Sequence, residues 1–95
     1  MEATMTLKEF AQHFGASNWR KAFVVAIEQL VPDGKAIIAE QQAAFLAHRS
    51  GRQRRLSREE MQTLSRRLEA ANAAKSDAEQ QIIDRFNLFV KEAKP

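Results

Sequence analysis

The chain has 95 residues, 44% of them hydrophobic, with 3 glycines, 2 prolines, no tyrosine and no cysteine; this bounds it to one domain with a small core and excludes a disulfide framework or a thiolate metal site. Its formal charge of +3 at pH 7 favours polyanions only weakly unless the charges cluster. No run approaches the ~18 apolar residues of a membrane span, and MEATMTLKEF carries Glu2 and lacks the apolar stretch of a secretory signal, so a cytoplasmic chain without membrane contact is expected.

In chain order, Thr6 is placed to cap a helix of about two turns over 6–14, with Leu7, Phe10, Ala11 and Phe14 on one stripe and Gly15 at the left-handed position that ends it. Ser17 offers the next cap, for a helix over 18–30. In it Trp19, Phe23, Ile27 or Ala26, and Leu30 stack at four-residue spacing, and Val24, Val25 and Val31 widen the apolar face until only Arg20, Lys21, Glu28 and Gln29 stay polar. Such a helix needs neighbours on more than one side, with Trp19 in the core. Val31-Pro32-Asp33-Gly34 stops it by proline and turn chemistry; the alternative is a β-hairpin between AFVVAI and KAIIAE closed by the same turn.

A third helix, 35–49, sets Ile38, Gln41 or Gln42, and Phe45 beside a second row of Ile37, Ala44 and His48, as an antiparallel neighbour of the Trp19 helix. Ser50-Gly51 is expected to end it and to open a basic loop over 50–56. Ser57 and Glu60 form a capping box for a long helix over 57–92, where neither glycine nor proline intervenes. Along it Met61, Leu64, Leu68, Ala71, Lys75, Ala78, Ile82, Arg85 and Phe89 alternate three and four apart, a coiled-coil register flawed at Lys75 and Arg85, with Phe86 beside the second flaw. Ala70, Ala71, Ala73 and Ala74 would admit a neighbouring helix closely. A second capping box, Ser76 with Glu79, leaves open a break near Lys75. The expected fold is all-α: a single-domain bundle of three short helices (6–49) plus a long C-terminal helix. Its apolar stripe outruns what the short helices can cover, which predicts a homodimer.

No nucleophile motif and no phosphate-cradling glycine loop is present. Glu9 and His13 stand four apart, not at the three-residue spacing of the di-iron pattern, and His48 lacks a matching acid. A non-enzymatic chain without metal, cofactor or small-molecule substrate is expected. Two features instead point to a macromolecular partner. Arg49, Arg52, Arg54, Arg55 and Arg58 form the densest charge in the chain, and arginine forks suit phosphates. The other is LKEFAQHFGASNWRKAF, Leu7 to Phe23, with Ala11, Phe14, Gly15 and then Ala16-Ser17; it resembles the helix-turn-helix of small phage and plasmid regulators.

That resemblance covers 17 of 95 residues and implies DNA contacts from Arg20 and Lys21. It departs from the motif at Lys21, six places after the turn glycine, where an apolar residue is usual; a plain helix, turn and helix without DNA contact is the alternative. The expected function is a small nucleic-acid-binding regulator gripping phosphates with the five arginines. The alternative is a helical interaction module, an adaptor or an inhibitor of another protein's machinery of the kind mobile elements carry, with Met61, Leu64, Leu68, Ala71, Ala78, Ile82, Phe86 and Phe89 as its interface.

Overall fold

The computed structural model describes residues 4–89. Thr6 opens α1 (Leu7–His13) with a full capping box: the Glu9 N–H donates to Thr6 Oγ1 at 3.1 Å, and the Thr6 N–H donates to Glu9 Oε1 at 2.9 Å. Gly15, at φ +65°, turns the chain out of it. The cap of α2 (Trp19–Leu30) is Asn18 rather than Ser17, because Asn18 Oδ1 reaches the Lys21 N–H at 2.9 Å. Val31 is extended at the end of α2 and Asp33 is left-handed at φ 59°, so the Pro-Asp-Gly turn links two helices and the hairpin is absent. Next come α3 (Gly34–Gln53) and α4 (Arg58–Phe86), an all-α fold in which the last helix is much the longest.

The α4 helix is unbroken through Ser76, and Lys75 pairs with Glu79 at 3.8 Å across one turn. It ends at Asn87, left-handed at φ 50°, several residues before the expected 92; residues 90–92 of that expectation lie outside the described residues. Two short strands that the sequence reading missed, β1 (Met5–Thr6) and β2 (Leu88–Phe89), pair in parallel with Met5 opposite Leu88 and tie the start of α1 to the end of α4.

Packing divides the molecule into a head and an arm. In the head, α1 and α2 close over the C-terminal half of α4 and the start of α3, burying Phe10, Phe23, Ala26, Ile27, Ile38, Ala78, Ile82 and Leu88. Phe10, Phe14 and Phe86 meet edge to face at 5.2–5.7 Å. Beyond the head, α3 and the first half of α4 continue alone as an antiparallel pair. Small residues set their spacing: Ala44, Gly51 and Ala71 are buried there, while Met61, Leu64 and Leu68 are half-buried. Gly51 does not end α3 as expected; it lies inside the helix, where a Cβ would meet Leu64 Cδ1 at 2.6 Å and Leu56 Cδ1 at 3.0 Å. An exposed bidentate pair, Arg67 to Glu40 at 2.7 and 2.9 Å, bridges the two helices, and Gln41 donates to Asn72 Oδ1 at 3.0 Å. The molecule measures 54 × 32 × 22 Å with a radius of gyration of 15.9 Å, against about 12 Å for a globule of this length.

Two expectations about burial are corrected. Trp19 is 38% exposed: it sits on the first turn of α2, edge-on to Phe23 at 5.9 Å with the Arg20 guanidinium 4.8 Å from its ring centroid, and Ala22 takes the core position beside it. The C-terminal seam is also largely covered within the chain. Ala71, Ala78 and Ile82 are 5%, 0% and 1% exposed, because α3 lies along the first half of α4 and the head along the second.

Trp19→Ala is therefore expected to cost only about 1 kcal/mol, well below the ~3–5 kcal/mol of truncating a fully buried large aromatic; a urea titration reads this directly. Gly34 is the more sensitive site. A Cβ there would fall on the Ile27 carbonyl oxygen where α2 and α3 cross, so Gly34→Ala should lose about 3 kcal/mol by backbone overpacking. Gly15→Ala, with open space around its Cβ, should lose about 1 kcal/mol from its left-handed backbone alone.

Candidate nucleic-acid interface

The arginine segment forms the free end of the arm, and it is more helical than the expected loop over 50–56. Arg49 and Arg52 ride on the last turns of α3, Arg54 caps that helix, Arg55 makes the turn and Arg58 opens α4. All five are exposed. The far side of the turn is fixed by the Ser57 capping box: the Ser57 N–H donates to Glu60 Oε1 at 2.9 Å and the Glu60 N–H donates to Ser57 Oγ at 3.1 Å. The Ser57 backbone N–H, then its hydroxyl, hold the Glu60 carboxyl below its ordinary value, and the charge of Arg54 adds to this.

Among the described residues the ion pairs are Arg67–Glu40 and Lys75–Glu79, neither of them at the tip. From Gln41 to Arg58 the sequence contains no acid. Arg55 is also strained: its φ of 55° is left-handed, and at the position following a helix C-cap this conformation normally selects glycine, with a bulkier residue costing roughly 1–2 kcal/mol.

The fold thus brings Arg49, Arg52, Arg54, Arg55 and Arg58 together and leaves Arg20 and Lys21 on α2, a head helix. α1 and α2 follow one another across a turn that contains Gly15, and α2 packs against α1, α3 and α4. Only its beginning, Asn18 to Lys21, stays exposed along with Gln29. Lys21 is on the surface at the place where the motif has a core residue.

As an interface, the proposed seam is reduced by its burial. Ala71, Ala78 and Ile82 are not accessible, Met61, Leu64, Leu68 and Phe86 are partly covered, and Phe89 is 59% exposed. The homodimer inferred from an uncovered stripe thereby loses that stripe. Two exposed apolar residues were missed: Phe45 at 49% and Leu46 at 59%, on the outer side of α3. By sequence spacing Phe45 belongs to the packing row of Ile38. That row turns away along the helix, from Ile38 facing the head to Ala44 and Gly51 facing α4, and leaves Phe45 outside.

The remaining candidates have structural roles. Glu9 serves the Thr6 cap, and the His13 ring packs on Phe14 and Phe86 at 4.9 and 5.7 Å. His48 Nε2 is hydrogen-bonded to Ser65 Oγ at 3.2 Å between α3 and α4. Among the described residues no three His, Asp or Glu side chains gather as a metal site, and no helix is long and apolar enough to cross a membrane. No protein-family model, no curated protein and no solved structure matches the chain.

Ser57→Ala, which removes the hydroxyl and keeps the backbone N–H, should raise the Glu60 pKa only part of the way toward the ordinary carboxylate value, as read by carbon-detected NMR titration. It should also lower stability at neutral pH by about 1 kcal/mol through loss of the cap. Because the native carboxyl is depressed, its contribution is present above the unfolded value of 4.5 and disappears as pH falls through the folded value. The difference in melting temperature between the two proteins should accordingly narrow in acid.

Proposed function

We propose that this chain is a small non-enzymatic nucleic-acid-binding protein, a regulator in the sense its helix-turn-helix resemblance implies, and that it grips phosphates with the arginines at the end of the α3–α4 arm. The observation that carries the reading is that Arg49, Arg52, Arg55 and Arg58 are exposed at one tip and have no ion-pair partner among the described residues. Unpaired arginines repel one another, and this repulsion is relieved when phosphates replace the counterions around them. The left-handed Arg55 adds support, since a turn selected for stability alone would favour glycine there. Arg20 and Lys21 supply secondary contacts from the exposed beginning of α2. The arm is two helices thick, whereas the major groove admits a single helix; its grip is on the backbone, and affinity rather than sequence preference is its main product.

A second reading, a helical protein-interaction module, is favoured by Phe45 and Leu46, which stand in water on the outer side of α3. A salt titration separates the two. Binding to DNA and RNA should fall with salt at a log–log slope of about −4, as five arginines imply at ~0.7–0.9 per phosphate neutralised. Replacing Arg52, Arg54 and Arg55 together by glutamine should make that slope shallower by roughly one per arginine while the helical circular dichroism spectrum is retained and the melting temperature does not fall. Absence of binding at low salt to duplex and single-stranded DNA and RNA alike removes the reading and leaves the interaction module.

A further inference from the structure

We propose, resting on the nucleic-acid reading above, that the arm takes single-stranded nucleic acid in particular, with an unpaired base stacked on Phe45 and the adjoining phosphates held by Arg49 and Arg52. Among the described residues Phe45 meets no other ring, although the head gathers Phe10, Phe14, Phe23 and Phe86. Instead it lines a surface recess of about 390 Å³ with Gln41, Gln42 and Leu46. The next recess along the same side of α3, about 350 Å³, is lined by Arg49, Arg52 and Gln53. Residues 45, 49 and 52 follow one another at helical spacing, so an aromatic face is succeeded one and two turns on, at ~6 and ~10 Å, by two guanidinium groups. A flat apolar recess with amides at its edge, followed by a cationic recess, has the chemical order of a nucleotide: base, then phosphate.

Three features favour an unpaired base over the other occupants. In a duplex both faces of each base are covered by its neighbours, so a lone ring on a convex helix can stack only on a base that is splayed out. The Gln42 amide is exposed and free to hydrogen-bond a base edge; an apolar protein surface docked on Phe45 and Leu46 would bury it without a partner. A second copy of this chain would bring Arg49 and Arg52 against the same charges, in a stretch from Gln41 to Arg58 that offers no acid to balance them.

The test measures binding of fluorescein-labelled oligonucleotides of roughly 12 nucleotides, single-stranded DNA and RNA and the matching duplexes, at one salt concentration. The full chain should prefer single strands. Phe45→Ala, at a half-exposed position, should weaken single-strand binding by roughly 5- to 150-fold and leave duplex binding within about twofold, a contrast that a general loss of folding would not produce. In a Trp19→Phe background, Phe45→Trp should restore single-strand affinity, and its fluorescence should be quenched on binding. Phe89→Ala, at an exposed phenylalanine outside this recess, should have little effect. Equal losses for single strand and duplex, no loss for either, or a Phe89→Ala effect as large as that of Phe45→Ala would overturn the stacking site. If Phe45→Ala is silent while the triple glutamine variant loses binding, the stacking site falls and the phosphate grip stands. If no oligonucleotide binds at low salt, both fall.

Discussion

One constraint governs this architecture: α4 runs 29 residues without a break, ~43 Å at 1.5 Å per residue, and no other helix is long enough to cover it. The 20 residues of α3 span ~30 Å and the 12 of α2 only ~18 Å. The apolar side of α4 is therefore covered in two sections by different means. Its second half meets a many-sided head, where large side chains such as Phe10, Ile27 and Ile82 are fully buried. Its first half meets α3 alone. A two-helix pair has no third layer to enclose bulky groups, so close approach falls to Ala44, Gly51 and Ala71, and the leucines beside them stay half in water. The crossing at Gly34 and Ile27 makes the arrangement possible, because it lets the short α2 touch the root of α3 and then diverge toward α1.

Much of this was legible in the sequence wherever one residue type has one local job. Thr6 with Glu9 and Ser57 with Glu60 form the capping boxes that their spacing implies, Gly15 takes the left-handed turn, and the absence of glycine and proline from Arg58 to Phe86 gives an uninterrupted helix. Less legible was which neighbour covers which face. Trp19 has the pattern of a core residue, yet it lies on the first turn of α2, beyond the reach of the helices that cover Phe23 and Ile27. The seam from Met61 to Ile82 reads as a coiled coil, and periodicity cannot distinguish a second copy from the chain's own α3. Gly51 reads as a helix end because glycine is a common stop; its role here is close approach to Leu64 and Leu56, which depends on a partner 13 residues away in sequence. The pairing of Met5 with Leu88 leaves no pattern at all in segments two residues long.

The candidate site shows the same division. The sequence located the arginines but placed most of them in a loop, and the difference matters to what they can do. A flexible loop that binds must lose its backbone and side-chain freedom on contact, and that loss offsets much of the gain from each phosphate. Here Arg49 and Arg52 extend from a formed helix and Arg58 from the first turn of another, with the Ser57–Glu60 box holding the entry to that turn. Only Arg54 and Arg55 lie in the connection, and Arg55 is already fixed in a conformation that unfolded chains seldom visit. The spacing between charges is thus set before a partner arrives. Folding keeps like charges together at a cost in repulsion, and on the proposed reading that repulsion is relieved when an anion with regularly spaced charges binds. Of the two acids that follow the cluster, Glu59 forms no ion pair among the described residues, and Glu60 is tied by two hydrogen bonds to Ser57, where the charge of Arg54 acts on it. The tip carries its exposed arginines away from the head, because the head closes over the opposite end of α4.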